Sequence, residues 1–134
     1  MFQNTDDVRI DKLRPLIPPA ILMEEHPLSP EMASTVASSR AEVAQCLNGQ
    51  SDKLVIVVGP CSIHDTKAAL EYGELIRAAS ELHKDELVLL MRVYFEKPRT
   101  TVGWKGMIND PGMDNSFNIN MGLRTARKLL CDLT

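Results

Sequence analysis

The sequence has no disulfide framework. Its three cysteines, Cys46, Cys61 and Cys131, are odd in number and show no CxxC spacing, which suits a reducing compartment. Met1 is followed by polar and acidic residues rather than a basic stretch and an apolar run, so no secretory leader is expected. No apolar stretch approaches the roughly 20 residues that span a bilayer. The chain therefore reads as cytoplasmic, with no membrane contact. It also lacks an excess of charge. A net charge of −3 gives no sign of a nucleic-acid partner, so any cationic site must be local. Internal repeats and low-complexity tracts are absent too. With 44% hydrophobic and 25% charged residues, the composition is that of an ordinary globular protein.

What is present is a pair of strand ends that carry chemistry. Leu87 to Leu90 is an apolar run of the kind that suits a strand covered on both faces. It leads into MRVYFEKPRTT at 91–101, where Arg92, Lys97 and Arg99 crowd together. In parallel α/β architectures the C-terminal strand end is where ligands bind. Guanidinium forks and an ammonium group there suit a phosphorylated or carboxylated ligand. The alternative is a solvated surface cluster. The second strand end follows Leu54–Val58 (LVIVV). It stops at Gly59-Pro60, and a thiol (Cys61), a hydroxyl (Ser62) and an imidazole (His64) come next. Cysteine and histidine both ligate divalent transition metals, although a lone cysteine after a strand is also a common small buried hydrophobe.

The pattern around these strands predicts the remaining elements. Residues 1–28 hold Pro15, Pro18, Pro19 and Pro27, which interrupt both helix and sheet, and read as an arm, with Val8–Ile10 as a short edge strand. Ser29-Pro30 predicts a helix start. Met32, Val36, Val43 and Leu47 make its inner face, and Gly49 stops it. Asp65 or Thr66 caps the next helix, with Ala69, Tyr72, Ile76, Ala79 and Leu82 as its stripe. The second strand is drawn over 87–94. A long loop with Trp104 runs over 97–114, a length usual for functional or disordered segments. The last helix starts at Asn115 or Ser116, with Ile119, Leu123, Ala126 and Leu130 inside. Strand and helix alternate, which implies a parallel sheet. The chain divides into an arm and helix, 1–50, and a strand–helix portion, 51–134.

Three segments carry a resemblance. GPCSIHD at 59–65, MRVYFEKPRTTVGWKG at 91–106 and INDPGMDNSF at 108–117 closely resemble the type I 3-deoxy-D-arabino-heptulosonate 7-phosphate (DAHP) synthases, which open the shikimate pathway of aromatic amino acid synthesis. The resemblance runs over essentially the whole chain. It implies a (β/α)8 barrel, which needs about 250 residues. These 134 residues would supply the arm and the first two β/α units, as an N-terminal portion of the enzyme.

By the same resemblance, phosphoenolpyruvate and erythrose 4-phosphate are the substrates. Arg92 and Lys97 match the catalytic positions that hold phosphoenolpyruvate. Lys97, Pro98, Arg99 and Thr100 match the erythrose 4-phosphate site. Cys61 matches a ligand of a divalent metal (Mn, Fe, Co or Zn), whose other ligands in the family fall on later strands. The arm, with Asp6 and Asp7, matches a segment that lies at a subunit interface of a homo-oligomer. There it helps form the feedback site for an aromatic amino acid, here phenylalanine. Each residue also has a plainer role available: an ion pair for Arg92, a turn hydroxyl for Thr100, a frayed acidic terminus for the arm.

The resemblance leads to the expectation that the 134-residue chain alone lacks condensation activity. A different expectation is a non-catalytic product that associates with full-length subunits. An open sheet edge and uncovered helix stripes would then require a partner. A small phosphate-binding α/β domain outside the family is the remaining alternative.

Overall fold

The computed structural model describes residues 6, 8–10, 13–96 and 103–134. Among these residues four helices and two strands follow in the order α1 (Pro19–Glu25), α2 (Pro30–Leu47), β1 (Leu54–Val58), α3 (Thr66–Leu82), β2 (Leu87–Met91) and α4 (Ile119–Asp132). The strands pair in parallel, from Leu54 opposite Leu87 to Val58 opposite Met91. Parallel neighbours need a long crossover, and α3 provides it.

Local chemistry sets the helix ends. Ser29 Oγ accepts from Met32 N–H at 3.2 Å, and Pro30 holds the first helical position of α2. At its other end Gly49 takes φ 67°. Gln50 N–H then reaches Gln45 O at 2.9 Å, and Gly49 N–H reaches Cys46 O at 3.1 Å. That is the Schellman closure, which needs a left-handed residue. Asp65 caps α3 by accepting from Lys67 and Ala68. Asn118 Oδ1 caps α4 by accepting from Met121 N–H at 3.3 Å.

The core lies between the sheet and the pair α3 and α4. Ile63, Ala69, Met107 and Leu129 form its buried centre, with Leu70, Met91, Val93, Phe95, Trp104 and Leu133 packed against them. Trp104 donates to Asp110 O at 2.7 Å, which closes the 103–110 segment over this core.

Several expectations need correction. Pro18 and Pro19 start a helix rather than interrupt one: Pro19 opens α1, where its fixed φ is an advantage. Val8 and Arg9 form a turn instead of an edge strand. The last helix starts at Ile119, not at residue 115 or 116, because Met113, Asn115 and Phe117 all take positive φ, at 53°, 61° and 49°. Left-handed residues cannot continue into a right-handed helix. Its buried residues are Gly122, Ala126, Leu129 and Cys131, while Leu130 is 41% exposed. Likewise Leu47 and Leu82 point outward at the ends of their helices.

The arm is tied to α4. Glu25 and Arg124 form a two-bond ion pair at 2.6 and 2.9 Å. Ile17 N–H donates to Asn120 Oδ1 at 2.9 Å, and Asn120 Nδ2 donates to Pro15 O at 3.0 Å. Arg127 Nε reaches His26 O at 3.2 Å.

The accessible surface is 10148 Å², whereas a compact monomer of 14.9 kDa shows about 7,000 Å². Leu54, Val57, Leu75 and Leu82 are among the exposed large side chains. Among the described residues the sheet has two strands and two open edges, with apolar surface available for further packing.

Candidate functional site

The site lies at the C-terminal ends of β1 and β2. The register places Val58 beside Met91, so the segments that follow, 59–65 and 92–96, begin side by side. Arg92 N–H continues the ladder to Val58 O at 2.6 Å. The approach is close because Gly59 has no side chain. A Cβ there would collide with the Arg92 carbonyl oxygen and lie 2.9 Å from the Arg92 Cβ.

The sequence pattern extends the second strand over 87–94, but the strand ends at Met91. The chain nevertheless stays alternating. Met91, Val93 and Phe95 are half-buried against the core, while Arg92, Tyr94 and Glu96 are exposed. Successive side chains of an extended segment point to opposite faces, so Arg92 and Tyr94 project from the same side. The Arg92 guanidinium carbon sits 4.9 Å from the Tyr94 ring centroid. Its Nη1 donates to Pro60 O at 3.3 Å. Ile63 N–H donates to Tyr94 O at 2.8 Å, which fastens the loop carrying Cys61 to the extended segment that follows β2.

Cys61 is exposed on that loop. Beside it is a cleft of about 430 Å³ lined by Gly59, Pro60, Ser62, Ile63, His64 and the first turns of α3. Ser62 Oγ is buried there and makes no hydrogen bond among the described residues. Cys61 and Arg92 are thus brought to one strand-end region. Lys97, Arg99 and Thr100 lie outside the described residues, as does Asp7. Asp6 is exposed in the arm. Met107 N–H donates to Phe95 O at 2.8 Å and Asn109 Nδ2 to Glu96 Oε1 at 2.8 Å, which joins residues 95–96 to 107–109.

Tyr94 was missed from the sequence. The available signal was its i+2 spacing from Arg92 in an extended segment, which puts a cation and a ring on one side.

A metal needs several donors, and structural or catalytic sites use three or four protein ligands. Among the described residues no group of three or more His, Cys, Asp or Glu could hold an ion. Cys61 supplies one thiol, so the described residues do not by themselves make a metal site.

A second cleft, about 420 Å³, separates the arm from the α4 entry and is lined by Arg14, Leu16, Phe117 and Asn118 among others. Away from the clefts, exposed pairs shift ionisation locally. The Arg124 guanidinium hydrogen-bonded to Glu25 holds that carboxyl below its ordinary range. Hydrogen bonds from Ser116 lower Asp114, and Glu42 raises Lys53. None of these groups belongs to the strand-end region. Among the described residues, no helix is long and apolar enough to cross a membrane.

Comparison with known proteins matches residues 26–133 to the DAHP synthetase I family. The chain is 57% identical over 132 residues to the Phe-sensitive phospho-2-dehydro-3-deoxyheptonate aldolase of Escherichia coli (strain K12), covering 98% of this chain and 37% of that protein. It is 53% identical over 129 residues to the tyrosine-inhibited enzyme of Candida albicans, covering 96% and 35%. Among solved structures, the phospho-2-dehydro-3-deoxyheptonate aldolase of Francisella tularensis SCHU S4 matches with a TM-score of 0.89 and 51% identity, over 92% of this chain and 36% of that one. The chain spans about a third of the length of these relatives.

Proposed function

The chain belongs to the DAHP synthetase I family, and from that membership we propose that its strand-end site serves the condensation of phosphoenolpyruvate, erythrose 4-phosphate and water to DAHP and phosphate. The observation that carries this reading is the placement of Arg92. It stands at the C-terminal end of a parallel strand, tied by Val58, Pro60 and Tyr94 to the loop of Cys61. A guanidinium held there can neutralise a phosphate or carboxylate and fix its orientation before reaction.

Arg92 and Lys97 bind phosphoenolpyruvate in this reading. Lys97, Arg99 and Thr100 receive the phosphate end of the aldose. Cys61 contributes one thiolate to a divalent metal, of the Mn, Fe, Co or Zn class, whose remaining donors are not among the described residues. The two strands and α3 are the start of a (β/α)8 barrel, and residues 1–50 form an interface and regulatory arm. Relatives are named Phe-sensitive and tyrosine-inhibited, which supports feedback by an aromatic amino acid. We assign phenylalanine, with Asp6 and Asp7 in that role. Three cysteines outside disulfides support a cytoplasmic setting.

Equilibrium titration with phosphoenolpyruvate tests the site. The 134-residue chain binds it weakly, inorganic phosphate competes, and Arg92→Ala abolishes the binding. Equal binding by the variant contradicts the assignment. The purified chain alone shows no condensation, and a metal-dependent loss of phosphoenolpyruvate would show that expectation to be wrong.

The exposed apolar side chains of Leu54, Val57, Leu75 and Leu82 favour a second reading, in which the chain associates with longer subunits of the family as a non-catalytic partner. Failure to co-purify with such a subunit removes it.

A further inference from the structure

The anion-binding role given to Arg92 leaves open what holds its side chain. An arginine side chain has several rotatable bonds, and an exposed one samples many positions. Binding an anion then costs the loss of that freedom. The structure contains a device that removes part of the cost in advance.

Arg92 and Tyr94 lie two residues apart in an extended segment and share a face. The guanidinium carbon is 4.9 Å from the ring centroid, inside the roughly 6 Å range in which a ring's negative face attracts a cation. The bond from Nη1 to Pro60 O, at 3.3 Å, fixes one edge of the planar group. The ring fixes its face. The main chain of the same tyrosine receives Ile63 N–H at 2.8 Å and so anchors the loop on which Cys61 and Pro60 sit. Met91, Val93 and Phe95 pack into the core on the opposite face, which keeps the segment from rotating.

We propose that Tyr94 is a positioning residue: its ring presents the Arg92 guanidinium, already oriented, to the phosphate or carboxylate of the substrate. It rests on the anion-site reading above. The ring face carries the effect and the hydroxyl does not. Phenylalanine therefore substitutes for it, and an aliphatic side chain of similar size does not.

The test uses the 134-residue chain with Tyr94→Phe, Tyr94→Leu and Arg92→Ala. In ligand-free samples, ring current moves the Arg92 Hδ and Hε resonances upfield in the parent and in Tyr94→Phe. The shift vanishes in Tyr94→Leu, while circular dichroism and the amide spectrum of α4 stay unchanged. Phosphoenolpyruvate binds Tyr94→Phe as it binds the parent and binds Tyr94→Leu about two- to fivefold more weakly, the range for an exposed cation–π pair.

Parent-like affinity in Tyr94→Leu overturns the proposal, and loss of binding in Arg92→Ala would leave the anion site standing. Equal losses in the Phe and Leu variants also overturn it, because the hydroxyl would then be the active group. A parent chain that binds no phosphoenolpyruvate refutes the anion-site reading and this proposal together.

Discussion

Replacing Gly59 with alanine should damage the site from beneath. The added Cβ meets the carbonyl oxygen of Arg92, and it lies 2.9 Å from the Arg92 Cβ and 3.0 Å from its nitrogen. Two of these three atoms are backbone, so no side-chain rotation relieves the clash. Gly59 also takes φ 156°, a region that L side chains rarely adopt. Overpacking costs about 1–3 kcal/mol and a strained backbone a similar amount. A loss of about 3 kcal/mol is therefore the working value for the combined effect.

Gly49 supplies the control. It has φ 67°, with nothing within 4 Å of an added Cβ. Gly49→Ala pays for the left-handed conformation alone, about 1–2 kcal/mol. Urea unfolding of both variants separates clash from conformation. The Gly59 variant should unfold at clearly lower urea, with the Arg92 amide resonance displaced by loss of its bond to Val58. If Gly59→Ala is no worse than Gly49→Ala, the close strand-end approach is not a constraint and the argument fails.

Other consequences follow from the same structure. Leu129→Ala empties a site that is 2% exposed, and thermal unfolding should register a loss of about 3 kcal/mol; a loss under 1 kcal/mol would mean the core is elsewhere. Asn118→Ala removes the cap that accepts from Met121, and should cost about 1 kcal/mol with amide exchange faster in the first turn of α4 only. Glu25 and Asp114 both titrate below their ordinary values in the folded chain. A depressed carboxyl adds stability above its unfolded pKa and loses it as pH falls through the folded value. Unfolding free energy should therefore be flat near neutral pH and decline below about pH 4.5, less steeply in Arg124→Ala. A decline that is unchanged in that variant would exclude the Glu25–Arg124 pair as a contributor. Finally, the isolated chain should lose added Mn²⁺ or Zn²⁺ to a weak chelator during dialysis, since one thiol is a poor site; stoichiometric retention would show a ligand set the described residues do not reveal.

Much of the fold was legible because its signals are local. The β-branched run Leu54–Val58, the Ser29-Pro30 start and the Asp65 cap each specify their element within a few residues. The arm was not. A proline pair reads as a break unless its place relative to the helix start is known, and Pro19 opens α1. The start of α4 was hidden for a related reason. Asn115 and Ser116 look like caps, but alternating positive φ values at Met113, Asn115 and Phe117 carry the chain past them to Asn118. In the site, Cys61 and Arg92 could be named from sequence as two separate strand ends. That they share one mouth depends on the parallel register, which a sequence does not print. Tyr94 is not legible as a site residue, because what matters is its side relative to Arg92, and the pattern over 87–94 does not show that the strand ends at Met91.

If the ends of β1 and β2 form the phosphoenolpyruvate site, an amide chemical-shift map of the chain titrated with phosphoenolpyruvate shows its largest changes at Gly59, Arg92 and Tyr94. These changes saturate together and are absent in Arg92→Ala. Changes centred instead on the Arg14–Asn118 cleft, or none at any concentration, would contradict that assignment.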